Sequence, residues 1–191
     1  MKKWFPVAAV LLASSAEAIV IRHDVEDTQY RATLSDYPAL ATFYVDGAHG
    51  SLIAPQWILT AAHATFCITP GATVQVNRHK VNVKQKWIHP DYTPGKHHDI
   101  ALVQLASAVE GIPVASLYEK TDEQDMILWF VGAGGTGNGK TGQIIDNFEN
   151  GGVLRKAQNR VSDVTENLLY FLFDEGKNAL PLEGVSGGGD S

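Results

Sequence analysis

His63 closes the run Gly50-Ser-Leu-Ile-Ala-Pro-Gln-Trp-Ile-Leu-Thr-Ala-Ala-His63, at the end of an apolar strand. An imidazole held at a strand end by a packed scaffold suits a general base, because its neutral form takes up a proton near neutral pH. Asp99 opens a second apolar run, Ile100-Ala-Leu-Val-Gln-Leu105. A carboxylate entering buried surroundings needs hydrogen-bond partners, and a nearby imidazole supplies one. A third segment, Leu182-Glu-Gly-Val-Ser-Gly-Gly-Gly-Asp-Ser191, offers two hydroxyls among glycines, Ser186 and Ser191. Singly, each has a bland reading: a lone histidine is often structural, and aspartate commonly starts a strand. Together a base, an acid and a hydroxyl are the parts of nucleophilic catalysis.

Two other constellations point to different chemistry. Gly134-Gly-Thr-Gly-Asn-Gly-Lys-Thr-Gly142 satisfies the phosphate-loop pattern from Gly134 through Gly139-Lys140-Thr141. Such a loop needs a helix behind it within a βαβ unit, and Gln143-Ile-Ile-Asp-Asn-Phe-Glu-Asn has neither the length nor the periodicity. The segment reads instead as a mobile loop between strands. His97, His98 and Asp99 are metal-ligating types in a row, but adjacent strand residues point to opposite faces and no H-E-x-x-H accompanies them. No metal or cofactor is expected.

These residues must be positioned by strands. Apolar or alternating runs at Ala41–Asp46, Gly50–Ile53, Trp57–Thr60, Thr73–Asn77, Lys80–Ile88 and Ile100–Leu105 are separated by Gly, Pro and Asn turns. Further runs follow at Met126–Gly132, near Gly152–Val164, and at Leu168–Phe173. The spacing predicts an all-β protein built from antiparallel barrels or sandwiches. The stretch from Ala106 to Asp125 is less patterned and marks a boundary between residues 19–125 and 126–191. With 191 residues the chain has room for a core, and 15 basic against 21 acidic residues give −6, which argues against nucleic acid as a partner.

The N-terminus has a basic head, a short apolar run to Ala13 and small residues at Ala16 and Ala18. That pattern is a secretory signal peptide over residues 1–18, too short in its apolar part to span a bilayer. It predicts a mature start at Ile19, a secreted (extracellular or periplasmic) protein, and no stable membrane association after removal. With Cys67 as its one cysteine the chain forms no internal disulfide.

The wording around these residues is more specific than their chemistry. G-S-L-I-x-x-x-W-I-L-T-A-A-H63, D99-I-A-L-V-x-L and the closing G-D-S191 follow one another in the order of the chymotrypsin/trypsin-like serine proteases, which the chain resembles from Ile19 to Ser191. The resemblance implies a two-barrel fold, its second barrel incomplete here, and a secreted endopeptidase acting on protein or peptide substrates through an acyl-enzyme. It implies catalytic roles for His63, Asp99 and Ser191, with the amides of Gly189 and Ser191 as oxyanion hole. It pairs the ammonium of Ile19 with Asp190, which favours Ser191 over Ser186 as nucleophile. It also places Val185 at the floor of the specificity pocket.

Departures from the family pattern carry expectations of their own. Ile21-Arg22 replaces the usual Gly-Gly after Ile-Val, and Ala48 and Ala64 stand where many relatives have a disulfide. Val185 offers no carboxylate to a Lys or Arg side chain. The family motif continues past the serine into closing strands and a terminal helix, so the resemblance implies a truncated peptidase with little activity of its own. The alternative function is a catalytically inactive homologue serving as a secreted binding module.

Overall fold

The computed structural model describes residues 17–43, 48–145, 149, 151–166 and 168–186. Six strands close into a barrel: β2 (Leu40–Thr42), β3 (His49–Ala54), β4 (Trp57–Thr60), β5 (Thr73–Val76), β6 (His79–Ile88) and β7 (Ala101–Leu105), in the order β2-β3-β4-β7-β6-β5. Neighbours within it are antiparallel, and the pairing of β2 with β5 closes the ring.

Local sequence explains the turns. Ala54 pairs with Trp57 across Pro55-Gln56. Val76 pairs with His79 across Asn77-Arg78, where Asn77 adopts φ +53°, a left-handed conformation that asparagine tolerates better than most residues. β6 is long because it serves two partners, β5 through Asn82 and β7 from Val83 onward. An irregularity between Val83 and Gln85 lets it bend from one to the other.

Alternation then builds the core. Ile58 on β4, Val74 and Val76 on β5, Val81 and Val83 on β6, and Val103 and Leu105 on β7 point inward with Leu52 and Ile68. Burying each such side chain contributes about 1.5–3 kcal/mol. This packing holds the barrel without a cross-link, and Cys67 is an exposed free thiol.

The later strands form two further sheets. One runs β12 (Leu169–Phe171), β11 (Arg155–Val164), β8 (Ile127–Gly132); the other runs β10 (Gly142–Ile145), β9 (Gly135–Asn138), β1 (Glu17–Ile21), β13 (Gly184–Ser186). β1 pairs parallel with β9 and antiparallel with β13. The first described segment therefore packs with the later strands, whereas the sequence reading grouped it with the first barrel. The reason is burial: Ile19, Ile21 and Tyr30 form a small core with Ala157 of β11, and Asp27 binds Arg155 at 2.6 Å.

The glycine-rich stretch also departs from its expectation as a mobile loop. Gly135–Asn138 is a central strand, joined to β10 by a short turn that Asn138 stabilises by accepting from the Lys140 and Thr141 amides. A Cβ on Gly137 would lie 1.9 Å from the Gly142 carbonyl oxygen, so glycine is needed for the strands to approach. These backbone groups pair within a sheet and the strand β10 follows where a phosphate loop needs a helix, so the stretch is no phosphate cradle. Among the described residues no helix is long and apolar enough to cross a membrane.

Candidate active site

β4 delivers His63 through Ala61 and the buried Ala62 into a single turn of 3-10 helix, His63–Thr65. Small residues let the chain turn against the barrel. The turn is held at both ends: Thr60 donates its hydroxyl to the His49 carbonyl at 2.7 Å, and Thr65 donates to the Ala62 carbonyl at 2.8 Å. β7 fixes the other partner, since Ala101 pairs with Thr60 and places Asp99 beside the start of the histidine turn.

Asp99 meets His63 with both carboxylate oxygens. Oδ1 accepts the backbone N–H of His63 at 2.9 Å, and Oδ2 lies 2.6 Å from ring Nδ1. The first bond positions the residue and the second orients the ring. A carboxylate against Nδ1 favours the tautomer that carries its proton there, which makes Nε2 the basic atom. Both side chains remain about one-third exposed, 34% and 39%, so proton exchange with a substrate is not walled off.

The neighbouring histidines are otherwise engaged. His98 takes φ +57° just before Asp99, stacks on His89 with ring centres 4.6 Å apart, and meets His97 edge to face at 5.0 Å. Among the described residues no group of three His, Cys, Asp or Glu side chains is placed to hold a metal ion.

The sequence model described as Trypsin matches residues 27–189. The chain belongs to the trypsin family. Serine protease 28 of Mus musculus is 30% identical over 125 residues, which cover 55% of this chain and 44% of the relative. Tryptase of Mus musculus is 32% identical over 120 residues, 51% of this chain and 42% of the relative. The matches thus span less than half the length of these two curated relatives. Among solved structures, neuropsin, a serine protease expressed in the limbic system of mouse brain, aligns with a TM-score of 0.59 at 18% identity, over 83% of this chain and 78% of its own. At that identity the likeness is one of fold, the all-β chymotrypsin-like architecture.

Against that family, the other sequence-derived residues fall as follows. Ile19 is an interior residue of β1, 1% exposed and paired with Ser186, and β1 runs continuously across the Ala18–Ile19 junction. Val185 is half-buried and pairs with Val20, while Ser186 is exposed at the end of β13. Gly189, Asp190 and Ser191 lie outside the described residues, as does residues 1–16 of the expected signal peptide. A cavity of about 730 Å³ between the barrel and the later sheets is lined by Thr60, Ala61, His49, Trp129, Phe130 and Ser186. It touches the strand leading to His63 but neither His63 nor Asp99.

Sequence reading missed His49. It sits one position before the segment that drew attention to the histidine turn, and is 5% exposed in β3. Its Nε2 accepts the Ala133 N–H at 3.1 Å, tying the barrel to the turn between β8 and β9. Burial pushes its pKa down to about 4, partly opposed by a backbone hydrogen bond with Ala41. Strand alternation gave no signal for it: His49 lies three positions before the core-facing Leu52 and so on the opposite face of β3, where Ala133 of the later strands meets it.

Proposed function

We propose that the protein is a secreted serine peptidase in which His63, Asp99 and Ser191 form the catalytic triad. The single observation that carries this reading is the two-oxygen contact of Asp99 with the backbone and ring of His63. Ser191 Oγ would attack the carbonyl carbon of a protein or peptide substrate while His63 Nε2 takes its proton. The tetrahedral oxyanion would be met by the amides of Gly189 and Ser191. Collapse breaks the C–N bond as Nε2 returns the proton to the leaving amine, and water then hydrolyses the acyl-enzyme by the same route. Asp99 holds the ring and stabilises its charged state. Membership of the trypsin family and the ordered motifs support this assignment.

Secretion follows from the N-terminal pattern, and removal of residues 1–18 would expose the Ile19 ammonium for Asp190. N-terminal sequencing of the active protein checks this: a start at Ile19 is expected, and a start well downstream would sink the idea. The catalytic assignment is tested with a fluorophosphonate probe on purified protein. Labelling is expected in the wild type and absent in Ser191→Ala and His63→Ala. Labelling that survives Ser191→Ala but vanishes in Ser186→Ala would move the nucleophile to Ser186.

A further inference from the structure

The strand that carries Val185 and Ser186 is held by one buried amide outside the triad. Asn159 lies in β11 at 1% exposure, and its Nδ2 donates to the Gly184 carbonyl at 3.0 Å. Its Oδ1 accepts from the Arg160 amide at 2.7 Å, so the side chain cannot turn over without losing both bonds. Next to it, Gln158 donates its backbone N–H to the Leu182 carbonyl at 2.7 Å and accepts the Leu182 N–H on Oε1 at 3.3 Å. On the far side β13 pairs with β1. The fit leaves no slack: a Cβ on Gly184 would lie 2.7 Å from Ala157 Cβ and 2.8 Å from the Val20 carbonyl oxygen.

A hydrophobic residue at position 159 would serve the interior equally well if burial were the whole task. An asparagine there costs desolvation unless both ends are satisfied, and here both are satisfied by backbone, one of them Gly184. We infer that Asn159 is a positioning residue for substrate side-chain recognition, setting the place of Val185 and Ser186 through its bond to the Gly184 carbonyl. This deepens the peptidase reading and rests on it. Asn159 acts through the β13 backbone and touches no reacting atom. Its loss therefore weakens ground state and transition state alike, which appears in KM and not in kcat.

The test is Asn159→Asp, nearly isosteric but lacking the donor at neutral pH. KM for a peptide substrate is expected to rise about tenfold at pH 8 with kcat within a factor of two, the equivalent of leaving one buried acceptor unsatisfied. As pH falls the introduced carboxyl gains a proton and regains an O–H donor. The ratio of variant to wild-type KM should then shrink, which a merely structural lesion would not produce. Should Asn159→Asp fail to fold, Asn159→Ser is compared with Asn159→Ala, since serine alone can donate, and the lower KM is expected for serine. Wild-type turnover with an unchanged, pH-independent KM ratio, or equal KM in the Ser and Ala variants, overturns this inference alone. No turnover by the wild type, either alone or extended with a homologous C-terminal segment, overturns the peptidase reading and the positioning role with it.

Discussion

Asp99 holds His63 at two points, its Oδ1 on the backbone N–H at 2.9 Å and its Oδ2 against Nδ1 at 2.6 Å. The residues are far apart in sequence and are brought together because β4 and β7 are neighbours, with Thr60 opposite Ala101. A carboxylate that bonds only the ring could let the imidazole swing. One that also bonds the residue's own amide fixes both the ring and the turn that carries it.

Asp99→Asn should therefore reduce kcat by roughly 10⁴-fold with the fold intact, because an amide donor facing Nδ1 favours the wrong tautomer. Measuring kcat alongside circular dichroism separates this from unfolding. A loss below tenfold would remove Asp99 from the chemistry.

How far this was legible in the sequence differs from part to part. The barrel strands were legible because Ile58, Val74, Val76, Val103 and Leu105 alternate with exposed or half-exposed neighbours, the period a half-buried strand imposes. The pairing of His63 with Asp99 was legible through family wording; spacing alone does not reveal which strands become neighbours. Gly135–Asn138 was not legible, since a strand made of Gly-Thr-Gly-Asn has no apolar alternation and is defined by close backbone approach to β10 and β1. The pairing of β1 with β9 was not legible for a related reason: sequence order is silent about a parallel pairing formed across more than a hundred residues.

That close approach yields a stability prediction. Gly137→Ala places a methyl where the Gly142 carbonyl oxygen and Gln143 Cα already stand, and both are backbone atoms that cannot rotate away. Overpacking of this kind costs about 1–3 kcal/mol or more. Gly111→Ala, at φ +74° in open space, meets only backbone strain of about 1 kcal/mol. Thermal unfolding of the two variants should show the larger drop in Tm for Gly137→Ala; the reverse order would mean that β9 and β10 are not packed as described.

A specificity prediction concerns Val185. Half-buried on β13 and without charge, it should favour small or apolar side chains before the scissile bond. A peptide library profiled with the active protein checks this. A strong preference for Lys or Arg would refute it.

The last prediction follows from His49. Its Nε2 must accept from Ala133, and a charged ring has two donors and no acceptor, so protonation breaks that bond as well as placing a charge in a buried site. Its folded pKa, about 4, lies below the ordinary histidine value of 6.5. Between those values the unfolded chain binds more protons than the folded one, so stability rises with pH across that window. The contribution is fully present above about pH 6.5 and is lost as pH falls through 4; the shift corresponds to roughly 3 kcal/mol. Urea unfolding of the wild type and of His49→Gln, followed from pH 7 to pH 4, measures it. Glutamine can accept from the Ala133 amide but does not titrate, so the wild type should lose stability on acidification more steeply than the variant. Parallel pH profiles for the two proteins would show that His49 titrates normally and that its buried bond to Ala133 is not formed in solution.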